Sequence, residues 1–172
     1  MKKIITALTL ILMVAVSASA IKLPFDKYTI KRSELPETAQ QMLNEHFPKK
    51  KVSMIKVDKH LLKKTDYDVK LTDGTEIEFN NKGEWTRVDC KKKAVPEALV
   101  SNSVKKSVEK KFPSEKITAV QKRALYHEIC LSDGTRHKYD LLGIYQGPVT
   151  KADEEANKKA ASEDDEENED EI

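Results

Sequence analysis

The feature that most constrains this chain is a segment that occurs twice. Leu71-Thr72-Asp73-Gly74-Thr75 continues through Phe79 to Gly83 and Trp85, and Leu131-Ser132-Asp133-Gly134-Thr135 continues through Tyr139 to Gly143 and Tyr145. The offset is 60 residues, without a gap over 67–85. Recurring units of this size cannot usually close a core alone, so the two copies are expected to be built into one. Asp-Gly between alternating apolar residues signals a hairpin. A two-residue loop would set Leu71 opposite Glu76 and Lys70 opposite Ile77, apolar against charged along the whole ladder. A three-residue loop removes the conflict. Leu71 then pairs with Thr75, Val69 with Ile77 and Tyr67 with Phe79, while Lys70 meets Glu76 and Asp68 meets Glu78 on the other face. The expected turn is type I closed by a bulge, with Gly74 left-handed. Gly134 is expected to do the same, placing Ile129 opposite His137, His127 opposite Tyr139 and Glu128 opposite Lys138.

Before the first copy comes an export signal. Residues 1–20 carry two lysines, an apolar run over 4–16 and then Ser17-Ala18-Ser19-Ala20, a small-residue cleavage site. The run is short of the roughly 20 residues that span a bilayer. Cleavage after Ala20 leaves a mature chain without a transmembrane segment, in the periplasm or outside the cell. Charge divides the remainder. Residues 21–152 hold 27 Lys plus Arg against 18 Asp plus Glu, whereas residues 153–172 hold 11 acids against 2 lysines. A basic body is followed by an acidic tail, and the near-neutral total conceals both.

Each hairpin is preceded by a helix pattern. Leu35, Ala39, Leu43 and Phe47 recur every fourth residue with Met42 beside them, opened at Ser33 or Leu35 with Pro36 in the first turn and closed by Pro48. Val95-Pro96-Glu97 matches Leu35-Pro36-Glu37 and opens a second helix carrying Leu99 or Val100, Val104, Val108 and Phe112, closed by Pro113. That helix is expected to be five residues longer than the first, and the loop after it five shorter. Short alternating strands are expected over 52–57, 67–71, 75–79, 84–89, 117–120, 126–131, 135–139 and 143–145, with a further edge strand within 21–32. One face of these strands is buried and the other is wet. The tail has too little apolar surface to offset the entropy of ordering, so 149–172 is expected to be disordered, apart from a short helix around 156–161. It can also fold back on the basic body as a screened stand-in for an anionic ligand.

Two units, each with Leu/Val-Pro-Glu opening a helix, Phe-Pro closing it, then a strand and an Asp-Gly hairpin leading to Gly-x-Trp/Tyr, resemble the PepSY-like family of exported Bacteroidetes proteins. Its fold is similar to beta-lactamase inhibitory protein. The resemblance covers 35–145 and rests on Leu35-Pro36, Phe47-Pro48, Asp73-Gly74, Gly83-Glu84-Trp85, Val95-Pro96, Phe112-Pro113 and Asp133-Gly134. It implies helix-plus-antiparallel-sheet units whose sheets form one concave surface, and an inhibitory or ligand-binding role. It carries no catalytic residues to this chain. Tyr145 stands where the first unit has tryptophan, and Leu141-Leu142 replace a polar turn.

Little in the chain points to chemistry. No nucleophile with a base, apolar carboxylate pair or phosphate-cradling loop occurs, so no catalytic, cofactor-binding or metal residues are assigned. His127, Cys130 and His137 are close in sequence, but strand parity sends the cysteine away from the two histidines, and metal sites need convergent ligands. Cys90 and Cys130 are an even pair in an oxidising compartment, which permits a disulfide; spacing alone leaves it open. The tail lacks calcium-loop spacing. Lysine runs such as Lys49-Lys50-Lys51 and Lys91-Lys92-Lys93 read best as solvated surfaces, and export argues against a nucleic-acid partner.

The expected fold is α+β, with two tandem units that each pack one main helix on an antiparallel sheet. Residues 21–34 form an N-terminal segment, 35–90 the first unit and 91–148 the second. Lys70, Glu76, Glu78, Arg136 and Lys138, with Cys130 among them and Trp85 and Tyr145 at the rim, form the expected surface for a protein or peptide partner. The expected role is an exported, non-catalytic binding module of the inhibitor type. The alternative is a structural envelope protein acting through its basic body and acidic tail.

Overall fold

The hairpins anchor the architecture. The computed structural model describes residues 26–58 and 65–166, so the expected export signal (1–20), the loop at 60–64 and the end of the tail lie outside the described residues. In chain order the strands are β1 (Lys27–Thr29), β2 (Val52–Asp58), β3 (Asp66–Leu71), β4 (Glu76–Phe79), β5 (Trp85–Asp89), β6 (Ile117–Lys122), β7 (Tyr126–Leu131), β8 (Arg136–Asp140) and β9 (Tyr145–Pro148). Helix α1 (Glu37–His46) lies between β1 and β2, α2 (Asn102–Lys111) between β5 and β6, and α3 (Lys151–Glu166) follows β9. All nine strands form one open sheet in sequence order, and every neighbouring pair is antiparallel.

The expected hairpin register is present in both copies. Tyr67 faces Phe79, Val69 faces Ile77 and Lys70 faces Glu76; His127 faces Tyr139, Glu128 faces Lys138 and Ile129 faces His137. Leu71 N–H donates to the Thr75 carbonyl at 2.8 Å, and Gly74 N–H donates back to Leu71 at 3.0 Å. Gly74 and Gly134 take φ of 87° and 85°, the left-handed conformation that closes such a loop. In each turn the aspartate carboxylate accepts the N–H of the threonine two residues on, at 3.1 Å for Asp73 and 2.8 Å for Asp133.

One face of the sheet carries the core. α1 contributes Ala39, Met42 and Leu43, flanked by buried Leu35 and Phe47, and α2 contributes Val104 and Val108 with Val100 before it. The sheet answers with Ile55, Val69, Ile77, Phe79, Val88, Val120, Ile129 and Tyr139. Burying side chains of this size contributes about 1.5–3 kcal/mol each. The core runs on across the middle of the sheet, where β5 and β6 are joined by Arg87–Gln121, Val88–Val120 and Asp89–Ala119.

The turns after β4 and β8 fix the helices to the sheet. A β-carbon on Gly83 would lie 2.7 Å from Pro36 Cβ and 2.9 Å from the Ala39 backbone nitrogen, and one on Gly143 would lie 2.8 Å from Ser103 Cβ. Each glycine therefore admits the first turn of α1 or α2 directly onto the strand connection. This gives the Gly-x-Trp/Tyr motif its physical reason.

The structure differs from the sequence reading at both later helices. α2 has ten residues, as α1 has, and is not longer. The five extra residues form a 3-10 turn at Glu97–Leu99 followed by Val100 and Ser101. Ser101 is the cap, its hydroxyl accepting the Val104 N–H at 3.4 Å. An N-cap serine outweighs the proline signal at Pro96. Leu35-Pro36 thus corresponds in the fold to Val100-Ser101, and the match with Val95-Pro96 is displaced by five residues. The second difference is α3, which stands at Lys151–Glu166 where a disordered tail is expected. Thr150 and Asp153 form a capping box that opens it. Thr150 N–H donates to the Asp153 carboxylate at 2.8 Å, and Asp153 N–H donates to the Thr150 hydroxyl at 3.3 Å.

Candidate functional site: the open face of the sheet

Opposite the helices, the sheet pairs its charged residues, with a few uncharged ones between them, into two rows that run from β2 to β8. One runs Lys56, Asp68, Glu78, Arg87, Gln121, Glu128, Lys138, each residue facing the next across the ladder. The second runs Met54, Lys70, Glu76, Asp89, Ala119, Cys130, Arg136. Period-two alternation creates both rows, because residues that skip the core must all point the same way.

On β3–β5 the rows close into an ion-pair network. Lys70 meets Glu76 at 3.2 Å, Lys91 meets Glu76 at 2.6 Å and Asp89 at 3.1 Å, and Arg87 meets Glu78 at 2.9 Å and Asp89 at 3.1 Å. The hydrogen bond from Lys91 holds the Glu76 carboxyl below its ordinary value, with Lys70 adding to it. Asp68 goes the other way. Burial, and then the neighbouring Glu78, push its carboxyl up. A shallow cleft of about 220 Å³ lies here, lined by Met54, Asp68, Lys70, Glu76 and Glu78. Lys70, Glu76 and Glu78 are therefore brought together. Arg87, Asp89 and Lys91 complete the network and were missed, although Arg87 and Asp89 continue the alternation through β5.

Trp85 and Tyr145 are not on this face. A register shift at Glu78/Phe79 sets Trp85 opposite Phe79, and one at Lys138/Tyr139 sets Tyr145 opposite Tyr139, so both aromatics turn toward the helices. Trp85 lines a cleft with Thr38 and Met42 of α1 and lies 3.5 Å beneath the Lys122 ammonium. Tyr145 packs among Phe112, His137 and Tyr139, with Lys111 over its ring. The expected rim is thus a pair of core-edge anchors.

The histidines and cysteines fall as parity requires. His137 is buried, its two ring nitrogens within reach of the Thr135 hydroxyl (2.9 Å) and the Tyr145 hydroxyl (3.3 Å). Burial lowers the pKa of His137, and burial with Lys122 nearby lowers that of His127. Cys90 and Cys130 are both free thiols. Cys90 N–H bonds to Thr118 from one side of β6, and Cys130 pairs with Ala119 from the other. Two strand spacings separate them, about 10 Å, beyond the reach of a disulfide. Among the described residues no group of three or more His, Cys, Asp or Glu could hold a metal ion.

Arg136 and Lys138 lie on the open face but belong to a different arrangement. α3 runs over them. Glu154 pairs with Arg136, Asp153 meets Lys138 at 2.6 Å, and the Asn157 amide donates to the Tyr126 hydroxyl at 2.7 Å. The hydrogen bond from Lys138, joined by Thr150, holds the Asp153 carboxyl down at about 2. Beneath α3, Glu128 is buried and bound by Arg136 at 3.0 Å, with Arg123 at 3.7 Å.

A nine-stranded antiparallel sheet with two helices on one face and a charged ladder on the other defines a small α+β module built around a surface. A family model described as "Putative beta-lactamase-inhibitor-like, PepSY-like" matches residues 65–146. The chain belongs to the PepSY-like family. It is 34% identical to a solved protein of Bacteroides vulgatus described as a putative periplasmic protein of unknown function, covering 73% of this chain and 100% of that one, with a TM-score of 0.69. A second Bacteroides vulgatus structure, also described as a putative periplasmic protein, is 35% identical over 73% of this chain and 97% of its own, with a TM-score of 0.67. A Bacteroides thetaiotaomicron structure described as a putative calcium-regulated periplasmic protein is 31% identical with the same coverage and the same TM-score. No curated protein matches the chain. Among the described residues no helix is long and apolar enough to cross a membrane.

Proposed function

We propose that this protein is an exported, non-catalytic binding module that engages a protein or peptide through the open face of its sheet, in the manner of an enzyme inhibitor. The observation that carries the reading is the pair of charged rows, which extend across strands of both repeat copies without interruption by a core residue. A surface of paired charges is specific by position: a partner must present complementary groups in register, and a wrong one meets like charge. In this reading 35–90 and 91–148 are two tandem units, and their joined sheets curve into one concave surface. Export rests on the leader at 1–20 and on the description of the solved relatives as periplasmic.

The test is affinity capture from periplasmic and secreted fractions with the mature chain, repeated with Lys70→Glu and Arg87→Glu together. One stoichiometric partner that survives high salt, and is lost with the double variant, is expected. A partner indifferent to the double variant removes the open face from the proposal. Broad retention that disappears with salt favours instead a structural envelope protein acting through its basic body and acidic tail.

A further inference from the structure

We infer that the part of the open face formed by Tyr126, Arg136 and Lys138, with Arg123 beside them, is a docking site for an acidic helical segment of a partner protein, and that α3 is the chain's own occupant of that site. The inference rests on the binding-module reading and narrows it to one footprint and one ligand chemistry.

Three observations carry it. The first is the occupant itself. α3 has seven acids against three lysines, and it meets the face through Asp153 on Lys138, Glu154 on Arg136 and Asn157 on Tyr126. The second is how it is held. Over 151–160 no residue of α3 is buried, whereas α1 and α2 each insert apolar side chains. One ion pair is exposed, and the other, like the hydrogen bond, is only partly buried; ion pairs at a surface are individually weak and weaken further with salt. α3 is attached in a way that permits exchange. The third is an incomplete fit. A cleft of about 480 Å³ remains between α3 and the sheet, lined by Arg123, Glu128, Arg136, Glu154, Asn157 and Lys158. The Nε of Arg123 in that cleft is buried without a hydrogen-bond partner. A buried donor left unpaired is costly. A segment bearing one more carboxylate, aimed at Arg123, satisfies what α3 leaves open and so competes with it.

The site is confined to one part of the sheet. Sixty residues earlier, Glu76 and Glu78 occupy the positions of Arg136 and Lys138. On β4 these two positions thus carry the opposite charge, and both carboxylates are already paired, with Lys70, Lys91 and Arg87.

The test uses the full mature chain and a fluorescent synthetic peptide of residues 150–166 as the ligand probe, with a shuffled peptide of the same composition as control. Asp153→Asn with Glu154→Gln releases α3 in place. The released variant is expected to bind the peptide at least tenfold more tightly than wild type at low salt. Adding Arg136→Glu and Lys138→Glu is expected to abolish that gain, and the shuffled peptide to bind at least tenfold more weakly. Amide exchange in α3 and thermal melts accompany each variant. Faster α3 exchange without tighter binding overturns the inference; so does unchanged exchange, since α3 would then not be held by these pairs; so does equal binding of the shuffled peptide. A failed capture through Lys70 and Arg87 bears on the general reading, and a failed peptide assay bears on this footprint alone.

Discussion

Gly83 and Gly143 are the residues on which the helix layer is seated. Both have positive φ, and an added methyl meets backbone or side-chain atoms of the helix above. Gly74 and Gly134 share the positive φ but face open space. Alanine at Gly74 or Gly134 is therefore expected to cost about 1–2 kcal/mol, the left-handed penalty alone. Alanine at Gly83 or Gly143 is expected to cost more, because the helix must also move; urea melts of the four variants check the order. Asp73 supplies a pH test. Burial alone would raise its carboxyl, but Lys50 at 2.9 Å, the Thr75 N–H and Lys93 at 3.1 Å together hold it well below the usual carboxylate range. A carboxyl depressed in the folded state stabilises above its unfolded value and loses that contribution as pH falls through the folded one. Asp73→Asn is thus expected to lower the melting temperature at pH 7 and to lose its effect in strong acid. Melts from pH 7 down to about 2 follow the full effect and its decline below the unfolded value.

At the scale of the element, caps decide where helices begin. Ser101→Ala is expected to cost about 1 kcal/mol by removing the α2 cap. Thr150→Ala is expected to speed amide exchange in α3 while leaving the main melting transition in place, since residues 151–160 of α3 are not buried. Both caps explain where sequence reading succeeded and failed. Strand parity and the Asp-Gly turns gave the hairpin register pair by pair, because a buried face penalises a one-residue slip. Pro96 drew the second helix five residues too early, because a proline at the first turn and a serine cap are competing start signals and only packing chooses between them. Thr150-x-x-Asp153 is a local helix-start signal, whereas the polar, acidic composition of the tail points to disorder; the two signals conflict. Trp85 and Tyr145 were misplaced by bulges, which invert parity locally and leave no short-range mark in a sequence. Arg87, at the centre of the ion-pair network, was legible as alternation but not as a partner of Glu78, since that pairing depends on the same bulge.

For the whole molecule, the two faces should answer differently to solvent. The helix face is apolar and insensitive to ionic strength, while the seating of α3 is electrostatic. Raising salt about tenfold shortens the screening length roughly threefold, so α3 exchange is expected to quicken with the global melt little changed. Acid acts in a defined window. Asp153 is depressed from 3.8 to about 2 in the docked state, so its pairing is fully present above about pH 4 and is lost as pH falls through about 2. Helical signal from α3 is expected to decline over that interval, read by exchange or by circular dichroism of the full chain. The order of the sheet has its own consequence. Each strand lies beside the one made just before it, so as the polypeptide emerges from a ribosome or a translocation pore, every new segment finds its neighbour already waiting. Assembly can proceed as knitting does, row upon row, without a distant stretch having to arrive first, and an interrupted chain would stop with a finished edge rather than a tangle.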